Sequence, residues 1–201
     1  MENELQPTIE LAVRKHANQM RKSGFLPYIS HPFDVLKKIC VWGITDLNMH
    51  KAALAHDLLE DTDVTHHELK LVIGETAFDY VVELTCNIDP DSQYSKRQQK
   101  EAYLLSFGNK SNQALIIKLA DRFANISDFM SNDDPYAEIY KNQAKPLFEK
   151  FLEKEKELED QFGRKLVVSI RNEFDLLDIL PKEMSSLFRG CVNSQVVNKY
   201  K

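Results

Sequence analysis

Helical spacing dominates the chain. From Thr8 to Lys22 the apolar positions Ile9, Ala12, Val13, Ala17 and Met20 recur at intervals of three and four, which predicts an amphipathic helix. A break at Ser23-Gly24-Phe25-Leu26-Pro27 precedes a second helix that starts at Pro32, carries Phe33, Leu36, Ile39 and Cys40 on one face, and stops at Gly43. Asp46 is placed to cap a third, with Leu47, Ala52, Ala55, Leu58 and Leu59. Asp61 to Asp63 reads as a turn, and Thr65 with Glu68 resembles a capping box for a short helix ending near Gly74. Glu75 to Cys86 reads as another helix, and Asn87 to Ser92 is the clearest loop. Further helices are predicted at Lys96–Phe107, Ser111–Met130, Pro135–Gln161 and Arg164–Ile179. Leu166-Val167-Val168 suits a strand in isolation, but its surroundings are helical. There is no Asn-Gly or Asp-Gly hairpin signal, no long alternating run and no internal repeat. The expected class is all-α.

Composition narrows the setting. A chain of 201 residues favours one domain, expected over residues 1–180, with a polar tail at 181–201. No apolar run is long enough to cross a bilayer, and the first residues lack the basic and apolar regions of a secretory signal. Cys40, Cys86 and Cys191 are odd in number and widely spaced, which suits a reducing cytoplasm rather than a disulfide framework. The net charge of −5 argues against a general nucleic-acid binder. A local basic cluster can still hold a small anion against that charge.

The candidate chemistry lies in three segments. In His56-Asp57-Leu58-Leu59-Glu60-Asp61-Thr62, helical spacing makes neighbours of His56 and Glu60 and of Asp57 and Asp61. Four polar groups at one end of an apolar helix are costly to bury unpaired, and a divalent cation offsets that cost. A capped, solvated helix end is the plainer alternative. His31, just before Pro32, is expected at or near an N-cap with its ring projecting away from the helix. Asp121 and Asn125 share a face of a strongly apolar segment, where an acid needs a partner: a metal, or an arginine. Arg21-Lys22, Lys96-Arg97 with Lys100, and Lys118 with Arg122 are the candidate cations for an anionic ligand, although Lys118 is also placed to snorkel and the Lys96 group to form a solvated face. The charged run from Glu149 to Asp160 and the pair His66-His67 read as surface, and His16 and Trp42 as core.

These segments together resemble the RelA/SpoT-type alarmone hydrolase domain. The carriers are His16-Ala17-Asn18-Gln19-Met20-Arg21-Lys22-Ser23-Gly24 with Pro27-Tyr28-Ile29-Ser30-His31-Pro32, the His56-Asp57…Glu60-Asp61-Thr62 motif, and Lys118-Leu119-Ala120-Asp121-Arg122…Asn125. They span roughly residues 8 to 130. Tyr140 and Ala144 resemble a later Tyr-x-x-x-Ala pattern of small, single-domain members, which extends the likeness to about residue 180. The resemblance implies a helical bundle of the HD-domain superfamily. It implies a manganese ion held by His31, His56, Asp57 and Asp121, with Glu60 and Asp61 beside the attacking water. It implies removal of the 3′-diphosphate of guanosine tetra- or pentaphosphate, giving GDP or GTP plus pyrophosphate. Arg21 would lie against the base with Lys22 nearby, and Asn125 and Tyr140 would contact the nucleotide; separately, the place of Lys96, Arg97 and Lys100 after the Asn87–Ser95 loop suits them to fold over a 5′-diphosphate. The likeness is to hydrolase-only members, without a synthetase domain. Ala124 stands where many bacterial relatives have His, and the Gly24-to-Pro27 spacing is one residue longer than in the long bifunctional enzymes. Adenine alarmones therefore stay open as substrates, as do a 2′-phosphatase acting on NADPH and an inactive nucleotide-binding module. The choice of base between Glu60 and Asp61 and the oligomeric state are also open.

Overall fold

The computed structural model describes residues 2–22 and 24–179; the predicted tail at 181–201 and Cys191 lie outside them. The chain forms α1 (Glu2–Lys15), α2 (Ser30–Val41), α3 (Leu47–Ala55), α4 (Leu58–Asp61), α5 (His66–Ile73), α6 (Glu75–Leu84) and α7 (Lys96–Leu105). A 3-10 turn (Ser106–Asn109) leads to α8 (Asn112–Ser131), α9 (Tyr136–Glu153), α10 (Glu155–Phe162) and α11 (Arg164–Leu176). Among the described residues there is no strand, only an isolated bridge between Met20 and Pro27.

α8 is the axis. Every residue from Ala114 to Asp121 is buried, because α2, α3, α6 and α9 pack around it. A helix apolar on all sides belongs inside a domain, and Ala114-Leu115-Ile116-Ile117 shows that in the sequence. Beyond it, Phe123 meets Trp42 edge-on at 5.8 Å between ring centroids and Phe174 at 4.6 Å, which clamps α2 and α11 onto α8. Caps set the shorter helices. Asp46 accepts from the N–H groups of Asn48 (2.7 Å) and Met49 (3.1 Å), and Thr65 Oγ1 accepts from Glu68 N–H at 3.1 Å. Glu68 does not return the bond of a full capping box, because it pairs with Arg14 and Lys15.

Three predicted boundaries move, each with a local cause. The first helix stops at Lys15 rather than Lys22, because the chain beyond it turns back on itself. Arg21 N–H bonds the Leu26 carbonyl at 2.9 Å and Tyr28 N–H the Gln19 carbonyl at 2.8 Å, around Gly24 at φ +77, a conformation glycine adopts without strain. The second helix begins at Ser30, so His31 is inside its first turn rather than at the cap, and Pro32 is tolerated because first-turn N–H groups have no intrahelical acceptor. The predicted Pro135–Gln161 helix is two helices broken at Lys154 (φ −100, ψ 5), a turn that lets Leu158 reach the core and α10 pack on α11. Leu166-Val167-Val168 is helical, as its context predicts.

Phe123 is fully buried at the junction of three helices. Phe123→Ala is expected to destabilise the fold by about 3–5 kcal/mol through lost burial and a residual cavity. Denaturant unfolding checks this: a lower midpoint with an unchanged slope is the expected result.

Candidate metal centre and active-site pocket

His31, His56, Asp57 and Asp121 come from three places in the fold and meet around one centre. His31 is the second residue of α2, His56 and Asp57 form the joint between α3 and α4, and Asp121 is midway along α8. Their polar atoms alternate in a ring. His31 Nε2 lies 3.1 Å from Asp121 Oδ1 and 3.6 Å from Asp57 Oδ2. His56 Nε2 lies 2.9 Å from Asp57 Oδ2 and 3.9 Å from Asp121 Oδ1. Ligand atoms about 2.0–2.2 Å from a shared ion stand roughly 3–3.5 Å apart; the His31–Asp121 and His56–Asp57 spacings are close to that, and the other two are wider. The donor atoms of His31, His56 and Asp121 all fall within 4.8 Å of one another, and all three residues are buried.

The joint between α3 and α4 departs from the continuous helix that the sequence predicts, and the cause is His56 itself. Its Nδ1 lies 2.8 Å from the Ala53 carbonyl, the acceptor that Asp57 N–H would use in an unbroken helix. The bond fixes a proton on Nδ1 and leaves Nε2 as the nitrogen that can exchange its proton for a metal. That Nε2 is buried without a hydrogen bond of good geometry, although Asp57 is close by. A buried imidazole nitrogen facing two carboxylates is a place where a cation, proton or metal, offsets the cost of burying their charge.

Charge in the ring follows from burial and from these neighbours. Burial pulls the His56 imidazole down, but Asp57 and Asp121 outweigh it and hold it at about 9. Burial pushes Asp57 up, and His56 and His31 bring it below the usual carboxylate range. Burial also opposes the charge on Asp121, but Lys118, 2.9 Å from its Oδ2, and His31 hold it well below the ordinary value. Asn125 Nδ2 donates to Asp121 Oδ1 at 2.7 Å and fixes the carboxylate plane. The nearest cationic partner of Asp121 is thus Lys118, with Arg122 Nε farther off at 3.9 Å. Lys118 does not snorkel to solvent: it is 5% exposed and paired within the core helix.

Beside the ring opens a pocket of ≈ 250 Å³. Glu60 and Asp61 stand on its rim at the end of α4. Burial raises both above ordinary carboxylates, opposed at Glu60 by Lys118 and by Cys86 N–H, and at Asp61 by the Tyr28 hydroxyl. The pocket lining is also cationic: Arg21, Lys22, Lys100, Lys118 and Arg122 all contribute to it, Lys118 paired with Asp121 and Arg21 with Asp128. Tyr140 is the aromatic side of that lining, with Arg122 4.8 Å and Lys22 Nζ 5.5 Å from its ring centroid. A chain of net charge −5 therefore presents five cations to one cavity.

In sequence the chain is 36% identical over 123 residues to the guanosine-3′,5′-bis(diphosphate) 3′-pyrophosphohydrolase MESH1 of Danio rerio, covering 60% of this chain and 66% of that protein. It is 32% identical over 126 residues to the MESH1 protein of Drosophila melanogaster, covering 62% of this chain and 68% of that one. The chain belongs to the small SpoT-like hydrolase family. Against the vertebrate relatives the match spans 64 to 66% of their length. The guanosine-3′,5′-bis(diphosphate) 3′-pyrophosphohydrolase of Aquifex aeolicus is 36% identical over 123 residues, which is 17% of that longer protein. A solved structure of a metazoan SpoT ortholog, described as hydrolysing ppGpp and acting in starvation responses, superposes with a TM-score of 0.69 at 24% identity over 88% of this chain and 97% of its own, and shows the same fold. No family model matches the chain.

Of the residues singled out in the sequence, this member of the family brings Arg21, Lys22, Lys100, Asn125 and Tyr140 to the pocket together with Glu60 and Asp61. Lys96 and Arg97 are not among its lining: α7 reaches the pocket only at Lys100, and Arg97 is exposed and pairs with Glu101 at 2.9 Å. His16 is buried behind the site against Tyr28, and His66 packs on Phe78 away from it. Sequence reasoning assigned no role to Tyr28 or Asp128. Tyr28 donates to Asp57 Oδ2 at 2.5 Å, and Asp128 holds the buried Arg21 through its Nε and a terminal nitrogen, each at 2.9 Å. The signal for Tyr28 was its place three residues before His31. Asp128 had none, since 107 residues separate it from Arg21.

The free His56 pKa of 6.5 and the folded value of about 9 set a pH signature for the metal-free protein. The ion pair contributes its full stability below pH 6.5 and loses it as pH rises through 9. Chelator-treated protein is therefore expected to melt at falling temperature across that window. Added divalent metal should raise the melting temperature more at pH 8 than at pH 6, because protons compete for the ligands. A melting temperature unaffected by pH would contradict the assignment.

Proposed function

We propose that the chain is a manganese-dependent 3′-pyrophosphohydrolase of guanosine tetra- or pentaphosphate, with the hydrolase domain over residues 1–180. The alternating ring of His31, His56, Asp57 and Asp121, beside a pocket that five cations help to line, carries the reading. In it the four ring residues are the metal ligands. Mixed imidazole and carboxylate donors suit Mn²⁺. When bound, Mn²⁺ offsets phosphate charge and acidifies a water for attack. Free Cys40 and Cys86 suit a reducing cytoplasm.

The chain's own residues do the rest. Glu60 or Asp61 accepts the proton of the attacking water, a contribution of about 10²–10⁴-fold for a well-placed base. Raised proton affinity, from burial, makes both stronger bases than ordinary carboxylates. The water oxygen bonds to the phosphorus next to the 3′ oxygen, the bond between that phosphorus and the 3′ oxygen breaks, and the 3′ oxygen takes up a proton. Pyrophosphate and GDP or GTP are the products. Lys118, Arg122 and Lys100 supply positive charge to the diphosphate groups, an electrostatic role available because the wall is fixed before substrate arrives. Arg21, held by Asp128, and Lys22 beside Tyr140 border the nucleoside end of the pocket, with Asn125 between that end and Asp121.

The test is product identification after incubation with ppGpp, ppApp and NADPH, with and without Mn²⁺. Pyrophosphate from ppGpp is expected. Pyrophosphate from ppApp alone moves the base preference to adenine, and orthophosphate from NADPH makes the protein a 2′-phosphatase. Asp57→Ala is expected to abolish metal binding and turnover together. Glu60→Gln is expected to cut turnover by at least about 100-fold while metal stays bound. Full activity in either variant rejects the reading, and tight nucleotide binding with no turnover in the wild-type chain makes it a binding module.

A further inference from the structure

Tyr28 has no part in the functional reading above, yet its hydroxyl touches both halves of the site. It lies between the Met20–Pro27 bridge and α2, with its ring 4.8 Å from the His16 ring and 5.8 Å from the His31 ring. The hydroxyl oxygen is 2.5 Å from Asp57 Oδ2 and 3.2 Å from Asp61 Oδ2. A phenol has one proton to donate, so Asp57 takes the short bond and Asp61, at 3.2 Å, is the longer arm of the same shared hydrogen. The Asp57 oxygen it reaches is the same one that lies 2.9 Å from His56 Nε2 and 3.6 Å from His31 Nε2.

Asp61 is held a second time, through its backbone. Gln19 Nε2 donates to the Asp61 carbonyl at 2.6 Å, and Gln19 Oε1 lies 2.7 Å from His16 Nδ1. Glu60 is held from the opposite side, by Cys86 N–H at 2.6 Å, on the loop after α6. The two rim acids are therefore mounted on different parts of the fold, and only Asp61 shares a hydrogen-bonding group with the ring.

We propose that Tyr28 is a positioning residue that sets Asp57 and Asp61 in a fixed mutual orientation, so that Asp61 is the rim acid kept in register with the metal ligands. The inference rests on the functional reading for the role of the ring. A ligand whose orientation comes from an outside hydrogen bond loses affinity when that bond goes, typically by 10–100-fold in metal affinity or activity.

Tyr28→Phe removes one oxygen and keeps the ring. Calorimetric titration with Mn²⁺ alone should show Kd raised about tenfold, and kcat should fall about 10–100-fold with KM within about twofold of wild type. In a double-mutant cycle, adding Tyr28→Phe to Asp61→Asn should cost less than about twofold further in kcat, whereas adding it to Glu60→Gln should cost its full factor. A folded Tyr28→Phe protein with wild-type Mn²⁺ affinity and kcat overturns the proposal, as does a full additional loss on top of Asp61→Asn. Should Tyr28→Phe not fold, Gln19→Ala removes the backbone anchor of Asp61: lowered kcat with unchanged Mn²⁺ Kd supports the proposal, and unchanged kcat overturns it. The Mn²⁺ titration needs no substrate, so weakened affinity in Tyr28→Phe holds even where the wild-type chain releases no pyrophosphate, a result that rejects the functional reading alone.

Discussion

Two imidazoles and two carboxylates crowd into one buried space, and the rest of the molecule is arranged to keep them there. Such groups repel apolar surroundings, and they stay only if each has a compensating charge or hydrogen bond. The chain supplies these from within one helical turn, Ala53 for His56 and Lys118 and Asn125 for Asp121, and in one case from far away, the Tyr28 hydroxyl for Asp57. Each compensation points one face of its partner at the centre of the ring. The all-round apolar character of α8 follows from the same need, since a polar cluster in the interior requires a packed helix to hold it in place.

The break between α3 and α4 shows how a side chain can reshape the backbone it sits on. A continuous helix would put His56 and Asp57 on diverging faces, about 100° apart. By taking the Ala53 carbonyl, His56 ends one helix, and Asp57 starts the next, so consecutive residues converge on the same centre. Local geometry and site chemistry are one device here.

Much of this was legible in the residues. Ala114-Leu115-Ile116-Ile117 marked the central helix, Asp46 and Thr65 marked starts that the structure bears out, and the three motifs pointed to the residues that form the ring. What escaped depends on which groups pair, near or far, which periodicity does not record. The first helix ends early because residues 19 to 28 bond across a turn, which periodicity in Ala17 and Met20 does not register. Lys118 reads as a snorkelling lysine until Asp121 is seen to hold it in the interior. Lys96 and Arg97 look equivalent to Lys100, but only the position of α7 relative to the pocket separates them. Tyr28 and Asp128 act on partners 29 and 107 residues away.

The site is split between two kinds of scaffold. Its floor, Lys118 and Asp121, belongs to a helix with neighbours on every side, whereas Arg21 and Lys22 belong to a hairpin whose Phe25 is 83% exposed. Amide hydrogens in the middle of α8 can exchange only when the whole domain opens, while those of the hairpin can exchange through local fraying. Sequence drift therefore meets unequal resistance. Substitutions at Lys118 or Asp121 draw on the global stability of the protein, whereas those at the exposed tip around Phe25 cost little, and under the proposed function that tip is where base preference changes without the ring being rebuilt.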